Sequence, residues 1–194
     1  MKSVVDKQLE TKGVAARRAA RTLAQTSSRV RDEALITIAN TLELRQNEVL
    51  TANLKDQDAG QRKGLSKAVL GRLILDSKSI HGMAADVRAV AAMKDPINET
   101  FDVSRLPSGL QVGKRRVPLG VIGVIYESRP NVTIDVSSLC LKSGNAVILR
   151  GGKEAIHSNT ALVKLIRDAI KNTEIPHDTV QFIGSSDRAL VGQM

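Results

Sequence analysis

At 194 residues the chain can build one substantial core, or one domain and part of another. Nothing in it approaches the roughly 18 consecutive apolar residues of a membrane span, and the polar start MKSVVDKQLE is no secretory signal, so a cytoplasmic location is expected. One cysteine excludes an internal disulfide, and three scattered histidines offer no metal-ligand set. A net charge of +9 invites nucleic acid, but 2% aromatic residues leave almost nothing for bases to stack on. A solvated basic surface, or clefts for anionic metabolites, explains the charge equally well.

The first half reads as helices. Val4, Val5, Leu9, Ala15, Ala16, Ala19, Ala20, Leu23 and Ala24 recur at helical spacing. A break at Ser27 and Ser28 caps a second helix, with Val30, Ala34, Leu35, Ile38, Ala39 and Leu42 on one face. The pattern continues through Val49, Leu50, Asn53 and Leu54 with a bend near Arg45 to Asn47, and stops at the turn from Gly60 to Gly64. Ser66 caps a short helix, and Asp76 opens another with Ile80, Met83, Ala84, Val87, Val90 and Ala91 inward. Pro96 disfavours helical backbone at Asp95 and closes this region.

The character then changes. FDVSRLPSGLQVGKRRVPLGVIGVIYE carries glycine and proline punctuation with alternation around Leu110, Val112 and Val117, the pattern of a β-hairpin feeding a buried strand, Val121 to Tyr126. The segment from Phe101 to Val117 has no partner strand nearby in sequence and is expected to pair outside its own domain. A loop, ESRPNVT, leads to a helix from Asp135 to Lys142, and a second buried strand, Ala146 to Leu149, opens into Arg150, Gly151, Gly152 and Lys153. Ser158 or Asn159 caps the next helix, with Leu162, Leu165, Ile166, Ala169 and Ile170 inward. Thr179 to Ile183 is a third strand, and strand–helix alternation of this kind is a right-handed parallel αβ layer. A further helix, capped by Ser186 or Asp187, has only begun when the sequence stops, so the chain is expected to be part of something longer.

The forty-residue core RRVPLGVIGVIYESRPNVTIDVSSLCLKSGNAVILRGGKE closely resembles the gamma-glutamyl phosphate reductases, also called glutamate-5-semialdehyde dehydrogenases, within the aldehyde dehydrogenase superfamily. The similarity runs from the helical start to DRALV near the end. It implies an α/β, aldehyde dehydrogenase-like fold: a helical part of the nucleotide-binding domain over residues 1–100, an oligomerisation hairpin segment over 101–117, and an incomplete parallel αβ nucleotide-binding layer over 118–194. The family's enzymes are longer, and their nucleophilic cysteine lies in a part without counterpart here. The implied reaction is NADPH-dependent reduction of L-glutamyl 5-phosphate to L-glutamate 5-semialdehyde in proline biosynthesis, by a homo-oligomer that has glutamate 5-kinase as a candidate partner. This chain alone is expected to be inactive.

The resemblance also assigns residues. Asn131 sits where an amide steadies the oxyanion, although an asparagine capping the following helix fits the same place. Glu127, Ser128 and Arg129 share a strand-end loop, the usual ligand position in an open αβ sheet, and would line the nicotinamide and substrate side; Arg129 also suits a structural ion pair. Gly151 and Gly152 do not form the dinucleotide fingerprint, but Arg150 and Lys153 fall beside the adenine ribose, where two cations otherwise read as a solvated turn. Lys153 stands where NAD-preferring members place a glutamate, so it is expected to hold the 2′-phosphate of NADPH, with Glu154 the rival for the glutamate role. Cys140 reads as a packing residue, the three histidines as surface residues, and Lys114, Arg115 and Arg116 as a strand edge or interface. A non-catalytic nucleotide-binding or assembly module remains the alternative function.

Overall fold

The computed structural model describes residues 4–185. Five helices come first: α1 (Val4–Leu23), α2 (Ser28–Leu44), α3 (Gln46–Arg62), α4 (Lys67–Leu73) and α5 (Ser77–Ala92). Three of the expected starts are made by local side-chain caps. Ser27 Oγ accepts from the Val30 N–H at 3.3 Å, Ser66 Oγ from Val69 at 3.4 Å, and Asp76 Oδ1 from Ser79 at 2.7 Å. The bend near Arg45 is a complete break between α2 and α3.

Strands β1 (Thr100–Arg105) and β2 (Gln111–Arg115) pair with each other, antiparallel, with a bulge between Phe101 and Ser104 where Asp102 takes φ 52°. The hairpin is therefore its own partner, which corrects the expectation that this segment has none nearby. Every residue in both strands is exposed.

The parallel layer is β3 (Val121–Ile125), α6 (Asn131–Lys142), β4 (Ala146–Arg150), α7 (Ile156–Ile170) and β5 (Val180–Phe182), with spatial order β3-β4-β5. Here β3 differs from the buried strand expected: among the described residues it is an edge strand, half-buried, with Ile125 exposed. An apolar run reports what a strand packs against, not how many neighbours it has. Strand β4 is the true centre, and its side chains alternate between two faces. Ala146 and Ile148 pack with Ala16 and Ala20 of α1, while Val147 and Leu149 join the core built by α2, α5, α6 and α7. The N-terminal helix thus supplies the second cover that a parallel sheet needs.

Two helix starts also differ. Helix α6 begins at Asn131 rather than Asp135, because Pro130 already has helical backbone (φ −59°, ψ −32°) and propagates it. Helix α7 begins at Ile156, after a 3-10 turn at Lys153–Ala155, and neither Ser158 nor Asn159 is its cap. Both are buried in its first turn. Gly144 ends α6 in the left-handed region (φ 73°), with the Asn145 N–H returning to Cys140 O at 2.8 Å, and this close turn aims the chain into β4. The expected cap at Ser186 or Asp187 lies outside the described residues.

Candidate functional site

Beyond the carboxyl ends of β3 and β4 lies an open cleft of about 500 Å³. Its walls are Ile125, Tyr126, Glu127 and Ser128 from the end of β3, and Arg150, Gly152, Lys153 and Glu154 from the end of β4. The structure thus brings together six of the residues singled out from the sequence: Glu127, Ser128, Arg150, Gly152, Lys153 and Glu154. Lys153 is exposed and makes no ion pair among the described residues, so its charge is available to a ligand. The strand-end position follows from the topology, since parallel strands point all their carboxyl ends, and the loops after them, the same way.

The two glycines act through room rather than unusual backbone angles, as neither has a positive φ. A Cβ on Gly152 would meet the Glu154 carboxylate at 2.7 Å and the backbone of Glu127 and Ser128 at 3.4 Å. The close contact is with the end of a flexible side chain, while 3.4 Å to the facing loop is ordinary packing, so glycine here leaves room chiefly for the Glu154 carboxylate. Gly151 is buried, and a Cβ there would fall 2.1 Å from Asn159 Nδ2 and 3.2 Å from Tyr126 Cε2.

Behind the cleft wall a short polar chain fixes those two neighbours. The Thr133 hydroxyl donates to Asn159 Oδ1 at 2.9 Å, so its oxygen accepts from the Tyr126 hydroxyl at 2.6 Å. Burial pushes the Tyr126 phenol up to about 12, partly opposed by that bond. Tyr126 therefore stays neutral and serves as a wall. The bonds of Tyr126, Thr133 and Asn159 join separate elements and leave no local pattern in the sequence.

The other candidates lie apart. Gly151 and Arg129 are not on the cleft surface, and Arg129 is exposed without an ion pair among the described residues. Asn131 occupies the first position of α6, where its Nδ2 donates to Asp135 Oδ2 at 3.0 Å. It is not the helix cap, a role that falls to Pro130 without a side-chain bond. Burial raises the Asp135 carboxyl, with the Asn131 bond pulling the other way.

Cys140 is 5% exposed in the main core, and burial pushes its thiol up to about 11. Such a thiol is protonated at neutral pH and is a packing group, not a nucleophile. Among the described residues no His, Cys, Asp and Glu converge in a set able to hold a metal ion, and no helix is long and apolar enough to cross a membrane.

The profile of the aldehyde dehydrogenase family matches residues 3–194. The chain is 52% identical over 187 residues to a gamma-glutamyl phosphate reductase of Dehalococcoides mccartyi, covering 96% of this chain and 44% of that protein. Among solved structures, the gamma-glutamyl phosphate reductase of Thermotoga maritima superposes with a TM-score of 0.93 at 41% identity, over 96% of this chain and 45% of that one. The Saccharomyces cerevisiae reductase gives a TM-score of 0.86 at 29% identity, over 96% and 48%. The chain spans a little under half the length of the relatives it matches.

Proposed function

The chain belongs to the aldehyde dehydrogenase family and has its fold, and on that premise we propose that it forms the nucleotide-holding part of a reductase that converts L-glutamyl 5-phosphate to L-glutamate 5-semialdehyde with NADPH. The observation that carries this reading is the cleft at the ends of β3 and β4, with Arg150 and Lys153 on one wall and Gly152 leaving its floor open. A cleft of that size with two cations on one side suits the adenosine and phosphate end of a dinucleotide. Arg150 and Lys153 hold that end, and Gly151 keeps the turn beneath them closed against Asn159. Glu127, Ser128 and Arg129 face the nicotinamide and substrate side. NADPH, when bound, supplies the hydride.

Charge builds on the carbonyl oxygen during acyl transfer, and an amide donor aimed at it lowers the barrier. Asn131 is the donor we assign. Its bond to Asp135 uses one N–H and directs the amide, which leaves the second N–H for the oxyanion. The nucleophile must come from elsewhere, because the only thiol, Cys140, is buried and protonated. The 194-residue chain is accordingly expected to bind NADPH in an equilibrium titration and to give no NADPH-dependent reduction of the acyl phosphate. Turnover by the purified chain would overturn the assignment of Cys140. A chain that binds no nucleotide yet associates with the remainder of its relatives' length would favour an assembly module instead.

The hairpin supports a homo-oligomer. An isolated two-stranded hairpin is marginal in water, and this one exposes Phe101, Val103, Val112, Leu106 and Leu110 together with both outer edges. Pairing with a second copy would satisfy the edge groups and cover the apolar side chains. Sedimentation velocity should show a dimer or larger for the intact protein, with Val103→Lys shifting it toward monomer. A protein that sediments as a monomer at high concentration sinks the idea.

A further inference from the structure

The start of a helix just beyond a parallel strand is ordinarily where an αβ layer receives an anion. Its first N–H groups lack partners, and the positive end of the helix dipole lies there. Helix α7 starts in that position, directly after β4 and the turn at Lys153–Ala155. Two of its donors, the N–H groups of His157 and Ser158, are already taken. Asp56 of α3 is 1% exposed, and its Oδ1 accepts from the His157 N–H at 3.1 Å. Its Oδ2 accepts from the Ser158 N–H at 2.7 Å and from the Ser158 hydroxyl at 2.6 Å. Asn53, one turn earlier on α3 and fully buried, donates to Ser158 Oγ at 2.9 Å and to Leu73 O at 2.8 Å, and accepts from the Leu75 N–H at 2.9 Å.

A cap that merely finished α7 would be local, as Ser27 is for α2. At the N-cap of α7 stands Ala155, which has no side-chain acceptor, and the carboxylate arrives from about a hundred residues upstream. The carboxylate is met by helix donors rather than by a cation. It therefore ties the first turn of α7, which directly follows the turn bearing Lys153 and Glu154, to α3. A second cleft, of about 280 Å³, opens beside it and is lined in part by Asp56, Gly60, Lys63 and His157.

We infer that Asp56 is a positioning residue for the nucleotide cleft: it fills the anion seat at the start of α7 with the protein's own carboxylate and holds Lys153 in place. A ligand's anionic group is left with the side chains of Arg150 and Lys153 as its seat. The occupied seat stands on its own, whereas the link to a nucleotide cleft rests on the nucleotide reading given above.

Asp56→Gly in the intact protein empties the seat, and acetate reproduces the deleted side chain. The variant should unfold at a lower temperature than the parent. Acetate should restore it in a concentration-dependent way, while chloride at equal ionic strength does not, and the parent should show no such difference. A folded Asp56→Gly protein for which acetate does no more than chloride overturns the proposal. Should that variant fail to fold even in acetate, Asp56→Asn keeps the volume and removes the charge. It should weaken NADPH about tenfold, the scale of one charge-assisted contact, and leave NADH little changed as the Lys153 turn loosens. Equal weakening of both nucleotides would mean a purely structural role and would also overturn it. Acetate rescue in a protein whose parent binds no NADPH would uphold the seat and reject the cofactor reading, so the two can fail separately.

Discussion

Gly151→Ala is expected to destabilise the protein by about 3 kcal/mol, the upper end for an overpacked core site. The added Cβ would fall 2.1 Å from Asn159 Nδ2, well inside van der Waals contact. Asn159 has nowhere to go, because it is fully buried and its Oδ1 is held by Thr133. Tyr126 blocks the other side at 3.2 Å. Gly152→Ala offers the contrast. Its nearest neighbour is the end of a flexible glutamate, and its backbone contacts at 3.4 Å are ordinary, so it should cost well under half as much. Denaturant unfolding of both variants gives the comparison. A double variant, Gly151→Ala with Asn159→Ala, should lose less than the sum of the two single changes, because the collision needs both side chains. If Gly151→Ala is neutral, or the pair is simply additive, the packing account of the first glycine is wrong and its role is toward the ligand alone.

That distinction bears on what a sequence can show. The cleft residues Glu127, Ser128, Arg150, Gly152 and Lys153 are legible because they follow apolar runs, and the ends of parallel strands converge. Ser27, Ser66 and Asp76 are legible as helix starts because each bonds a backbone group three residues on. Asp56 is not, since its partners lie about a hundred residues away. The one visible signal is Asn53 in the inward stripe of α3, where a buried amide must find partners. The same limit explains the strands. VIGVI and AVILR read alike, yet among the described residues one is an edge and the other the centre. The alanine stripe of α1 announces a close-packed helix, and only the fold shows that it lies on Ala146 and Ile148.

Lys153→Glu in the intact protein is expected to abolish a preference for NADPH over NADH. NADPH carries a 2′-phosphate where NADH has a hydroxyl, so the discriminating group must meet a dianion in one case and a neutral donor in the other. A cation favours the first, and a carboxylate repels it while accepting from the second. Lys153 is exposed on the cleft wall and makes no ion pair among the described residues, and Arg150 lines the same wall. A charge-assisted contact contributes about 1.5–3 kcal/mol, or roughly ten- to a hundredfold in affinity, and reversing the charge adds repulsion to that loss. Glu154 is the competing residue. It lines the same cleft, but its Oε2 lies back over the turn, where a Cβ on Gly152 would meet it at 2.7 Å. With Lys153 as the discriminating group, Glu154→Gln should change the ratio of the two affinities far less than Lys153→Glu does. Equilibrium titration of both nucleotides into the parent and the two variants decides between them. Comparable NADH and NADPH binding by the parent would hand the ribose to Glu154, and a preference that survives Lys153→Glu undiminished would leave Arg150 as the cation that holds the phosphate.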